Sequence, residues 1–261
     1  MRETPDNMGK VYLVGDSITQ GLGSRKINFQ KELEDRLRGE CEVVNLALTG
    51  TTIQYANMLI DNNEIITTDN LSFCVILYGN VDAQVRPNRS GRLFRLIPSR
   101  YRKNGMLMPR PFYSRSPLKR LGQLIDNLGR SFFAKTIIWL DGTEQWVDIA
   151  TFSSEYRKFV NSLTERGLIP ILCSTVFIDE KFFHETPSQY ELFNAEIQKL
   201  SIEKGFTYID FYQLFKRKVS EKGWKAYFNH DHFHPNGAGY EVMAREIAQA
   251  IQLSKPKLIE L

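Results

Sequence analysis

The sequence predicts an α/β fold in which a parallel sheet carries helices on both faces. Short β-branched runs alternate along the chain with stretches whose apolar residues recur at three and four. Hydrophobic residues make up 42% and charged residues 25% of 261 positions, ordinary globular usage and enough chain for one sizeable core. We therefore read 1–261 as a single domain. No apolar run approaches the roughly 18 residues needed to span a bilayer, and the polar first ten residues suggest neither leader nor anchor. The three cysteines are scattered within or beside apolar runs. That pattern fits buried thiols in a reducing cytoplasm better than a disulfide framework or a zinc site.

In chain order, 11–14 reads as the first strand and 29–37 as an amphipathic helix. Residues 42–46 and 73–77 supply two further strands. From Gln84 to about Ile125 the rhythm stops. This stretch has no Asp or Glu but eleven Lys and Arg, among them Arg86, Arg89, Arg92, Arg95, Arg115, Lys119 and Arg120. The remainder of the chain is then net acidic, so the basic character is local. Prolines and aromatics interleave with the charges, which favours an ordered basic insertion at about 84–125. After it, 136–140 and 145–149 flank Asp141-Gly142 and predict a β-hairpin. Thr151 reads as the N-cap of a helix continuing through 154–166. Strand 169–174, helix 190–203 and strand 207–209 complete the alternation, and a tail starts near Ser254.

Two places carry chemistry. In Val14-Gly15-Asp16-Ser17-Ile18-Thr19 a strand runs into a small-polar turn, which exposes a serine at the strand's carboxyl end, where reactive groups collect in such sheets. Taken alone, the pattern also fits a serine that caps a helix or closes a turn. Near the other end stands Asn229-His230-Asp231-His232-Phe233-His234-Pro235. The Asp231-x-x-His234 spacing on one loop lets a carboxylate orient an imidazole whose far nitrogen faces a serine. A metal cluster and a plain polar loop before a helix remain alternatives for this segment.

With both ends in place, the chain resembles the SGNH hydrolase superfamily, also called GDSL esterases, across nearly its whole length. The resemblance implies a flavodoxin-like three-layer α/β/α sandwich, a Ser17, His234 and Asp231 triad, and no cofactor or metal. It assigns Gly50, in Leu46-Ala47-Leu48-Thr49-Gly50-Thr51, as a backbone donor to the oxyanion. The family's third block is Gly-x-Asn-Asp, whereas this chain reads Gly79-Asn80-Val81-Asp82. Asn80, one residue early, is the provisional oxyanion side chain and reaches it only if the loop there is rearranged.

The implied activity is serine-dependent hydrolysis of a carboxylic ester through an acyl-enzyme, with O-deacylation of a carbohydrate or glycan precursor as the favoured case. An O-acyltransferase with the same triad and a catalytically weak glycan- or partner-binding module are the alternatives. Asp16, Arg86 and Arg89 are the substrate-binding candidates, since arginine forks suit a phosphate or acidic glycan. A protein partner or a lipid surface would also use the basic insertion, and structural ion pairs would absorb it. Nucleic acid is not expected, because no binding module is present. Phe112, Tyr113, Trp139 and Trp146 are open between lining a site and packing.

Overall fold

The computed structural model describes residues 9–24, 29–37, 39–66, 70–102, 107 and 109–255. Five strands form one parallel sheet: β1 (Gly9–Gly15), β2 (Cys41–Asn45), β3 (Phe73–Leu77), β6 (Ile169–Cys173) and β7 (Thr207–Ile209). Their order is β2-β1-β3-β6-β7, the doubly wound flavodoxin-like arrangement. β3 is buried at every position and β1 at all but one, which is why these strands read as continuous apolar runs rather than alternating ones.

Helices cover both faces. α1 (Phe29–Leu37) packs against α9 (Gly237–Ser254) on one side, and α2 (Ile53–Asp61), α6 (Ile149–Glu165) and α7 (Thr186–Lys204) form the opposite layer. α8 (Phe211–Lys222) follows β7 directly, its first turn capped by the Asp210 side chain. Cys41, Cys74 and Cys173 are all buried and unpaired.

The basic stretch is ordered where it is described. It contains β4 (Arg86–Pro87) and the short helices α3 (Arg92–Leu96) and α4 (Ser99–Arg102), and it leads into α5 (Pro117–Asp141), 25 residues long. The expected hairpin is corrected here. Residues 136–140 are the last turns of α5, and Gly142, at φ 82°, ends that helix in a conformation glycine adopts without strain. β5 (Thr143–Glu144) does pair antiparallel, but with β4, far back in the chain. The N-cap expectation shifts as well. Asp148 is the cap, and Thr151 is the residue whose N–H it accepts at 2.9 Å.

Candidate active site

β1 and β3 lie side by side at the point where strand order reverses, so the loops after them diverge and leave a crevice at their carboxyl ends. Ser17 sits two residues past β1. The segment from Asp16 to Gly23 is a run of hydrogen-bonded turns rather than a helix, with Gln20 N–H donating to Asp16 C=O and Leu22 N–H to Ser17 C=O. The loop before α9 comes to meet it. Ser17 Oγ lies 3.0 Å from His234 Nε2, and His234 Nδ1 lies 2.6 Å from Asp231 Oδ2. The other Asp231 oxygen accepts the backbone N–H groups of Phe233 and His234, so the carboxylate is fixed before it orients the ring.

Two further residues, Asn229 and Tyr240, hold the two chain ends together and a third, His232, ties the same loop to the segment after β6; the sequence pattern did not single out these contacts. Asn229 Nδ2 reaches Gly23 C=O at 2.9 Å and also His234 C=O and Pro235 C=O. Tyr240 O–H donates to Leu22 C=O at 2.6 Å. His232, with φ 53°, sets its Nδ1 2.6 Å from Asp179 Oδ2 and stacks on Trp224. An asparagine in a polar loop and a tyrosine inside a helix carry no signal of their own until the fold brings their partners near.

Gly50 adopts φ 78°, and a side chain there would point into open space. Among the described residues, neither the Ser17 N–H nor the Gly50 N–H donates to a protein acceptor. Asn80 turns inward. It is fully buried, its Oδ1 accepts Val176 N–H at 2.9 Å, and its C=O accepts the Tyr190 hydroxyl at 2.6 Å. Asp82 is equally buried and binds Ile53 N–H and Gly79 N–H, joining the start of α2 to the loop after β3.

The three proposed substrate contacts are buried or paired within the protein. Asp16 is fully buried behind Ser17, with Oδ1 accepting Ile18 N–H at 2.9 Å. Burial pushes its carboxyl up to about 7, and the nearby Asp82 carboxylate adds to the rise. The Asn80 amide lies near enough to favour the ionised form, although Asn80 Nδ2 and Asp16 Oδ2 both lack a hydrogen-bond partner. Asp82 is likewise raised to about 6, chiefly by burial. Arg86 is buried, donates to Val81 C=O, and lies 3.8 Å from the centre of the Trp146 ring. Arg89 pairs with Glu144 across the β4–β5 ladder.

Beside this site lies a cavity of about 860 Å³ between α5 and the segment following β6. Leu107, Leu124, Leu128, Ile138 and Phe182 give it a mostly apolar wall. Asp179, which holds His232, and Tyr113, whose ring meets His230 at 5.1 Å, join that wall to the loop before α9.

A sheet of this order with a serine at the switch point and an imidazole aligned to it defines a serine ester hydrolase. The chain belongs to the GDSL-like lipase/acylhydrolase family, whose model matches residues 13–242. Solved structures agree in fold. A lipase/acylhydrolase from Enterococcus faecalis is 16% identical with TM-score 0.58, covering 94% of this chain and 96% of its own. An acetylxylan esterase from Geobacillus stearothermophilus is 15% identical with TM-score 0.59, covering 93% and 94%. A lipolytic G-D-S-L family protein from Veillonella parvula is 14% identical with TM-score 0.57, covering 93% and 98%. No curated protein matches the chain in sequence.

Proposed function

We propose that this esterase works through an acyl-enzyme on Ser17. Ser17 Oγ attacks the ester carbonyl carbon while His234 Nε2 takes its proton. The tetrahedral intermediate then collapses, and the leaving alcohol takes that proton from His234. Asp231 holds the ring and stabilises its charged form. Water, deprotonated by the same imidazole, attacks the acyl group and frees Ser17. The observation that carries this reading is the unbroken line from Ser17 Oγ through both ring nitrogens of His234 to Asp231.

The Ser17 and Gly50 N–H groups, which no protein acceptor claims among the described residues, serve as oxyanion donors. Asn80 is given a bracing role instead, because its donating amide nitrogen, though unpaired, is buried away from solvent beside Asp16, while its oxygen holds Val176 N–H. The roles of Asp16, Arg86 and Arg89 are structural for the same kind of reason.

The substrate we favour is an O-acetyl-like ester on a carbohydrate or glycan precursor. It is supported by the acetylxylan esterase among the proteins of the same fold. A second reading, an ester with a longer apolar acyl chain, is supported by the apolar cavity at Asp179. Among the described residues no helix is long and apolar enough to cross a membrane, and the buried thiols support a cytoplasmic setting.

The deciding assay follows p-nitrophenolate release from esters of increasing chain length, alongside acetate release from acetylated xylo-oligosaccharides. Wild type and Ser17→Ala are compared, and sugar acceptors are added in turn. Loss of turnover in Ser17→Ala by about 10,000-fold or more, with unchanged folding, is expected. Turnover that survives the substitution refutes the mechanism. Chain-length preference separates the two substrates, and acyl capture by an acceptor moves the assignment to acyltransferase.

A further inference from the structure

On α5, Leu118, Leu121, Ile125, Leu128, Phe132 and Trp139 follow one another at intervals of three, four and seven, so they lie along one face of the helix. All six are exposed, Leu118 at 83% and Trp139 at 81% of their full surface. The opposite face is the one that packs. Ile137 is buried with Ile97, Tyr101 and Leu107, and Asp126 is drawn in by Arg110 and Arg130. α5 thus has two apolar sides, one used by the fold and one facing solvent over a helix that spans roughly 37 Å. A contiguous stripe of this size on a surface marks a contact.

Around the amino end of α5 the unpaired charges have a single sign. Residues 84–125 contain no carboxylate. Among the described residues, Arg92, Arg95, Arg102, Arg115, Lys119 and Arg120 have no acidic partner. Arg115 and Lys119 stand at the amino end of α5, where a cation opposes the helix dipole and an external anion is favoured. The two acids within α5 are both engaged, Asp126 with arginines and Asp141 with Leu93 N–H. A second copy of the chain would bring the same cations and no free carboxylate from this helix to meet them.

We infer that the exposed face of α5 docks the protein on an anionic lipid surface. The leucine, isoleucine and phenylalanine side chains enter the acyl boundary, and Trp139 sits at headgroup level. The arginines and lysines around the amino end of α5 meet the phosphates. The inference is independent of which ester the site cleaves.

The test is co-sedimentation of the full chain with vesicles of mixed phosphatidylcholine and phosphatidylglycerol, compared with phosphatidylcholine alone, at low and high salt. Binding to the anionic vesicles that weakens with salt is expected, with little on the neutral ones. Leu121→Ser with Ile125→Ser, and separately Arg115→Glu with Lys119→Glu, should each reduce binding at least about tenfold at unchanged thermal midpoint. Absence of binding to both vesicle types by monomeric protein overturns the proposal. So does a dimer, seen by light scattering, that the apolar substitutions dissociate while vesicle binding stays absent.

Discussion

The crevice at the end of the sheet and the outer face of α5 use side chains in opposite ways. In the crevice the side chains aligned with Ser17 are themselves held from within. Asp231 takes two backbone N–H groups before it orients His234, and Asn229 grips three carbonyls. On the outer face of α5 the large apolar side chains are exposed, and Arg115, Lys119 and Arg120 at its start have no acidic partner among the described residues. Groups held on all sides keep a geometry to fractions of an ångström, which bond-making requires. Groups left open define a surface for something larger and less exacting.

The largest effect that would break this contrast is at Asp231. Asp231→Asn should lower kcat by about 1,000- to 10,000-fold while leaving KM within a few-fold, because the imidazole loses its orienting anion. A loss under tenfold in steady-state kinetics would mean the carboxylate merely braces the loop. Asn80→Ala sharpens the comparison at smaller scale. Leaving Val176 N–H without its acceptor should cost about 1–3 kcal/mol in denaturant unfolding, with kcat changed less than about tenfold. A kcat loss near 100-fold or more, with stability intact, would return Asn80 to the oxyanion.

Asp16→Asn should have the mildest effect and is visible as a pH profile. In the folded protein the Asp16 carboxyl is raised from 3.8 to about 7, so the folded state holds a proton that the unfolded chain releases earlier. Its contribution to stability is complete below about pH 4 and is lost as pH climbs towards 7. Asp82, raised to about 6, adds a slope of the same sign. Thermal midpoints of the wild type should therefore fall over this window. The Asn variant should fall less, a difference of a few degrees. Parallel curves for the two proteins would show that Asp16 takes up no proton in the folded state.

Much of this was legible in the residues because the physics is local. Buried parallel strands spell themselves as β-branched runs, and all five strands lie within two residues of where those runs suggested. The Ser17 and Asp231-x-x-His234 signatures are short and chemically unusual. α5 misled for a physical reason. Its last turns, Thr136-Ile137-Ile138-Trp139-Leu140, are apolar on both sides, so the helical period vanishes and the run looks like a strand ending at Asp-Gly. Asn80 was ambiguous because one residue of register decides which way a side chain points, and no local pattern reveals the turn that Gly79 makes at φ 115°. Arg86 and Arg89 looked available until Trp146 and Glu144 were placed beside them.

Ser17 and His234 are separated by 217 positions, and the turn that carries Ser17 takes hydrogen bonds from Asn229 and Tyr240. β1 pairs with β2 and β3, whose residues all lie in the first third of the chain, but the turn after it is completed by the final loop and helix. Closing so long a loop is among the slowest and entropically most demanding contacts a chain forms. Alignment of Ser17 with His234 therefore needs both ends of the chain in place, and a fragment lacking the final loop and helix would hold the serine without that imidazole.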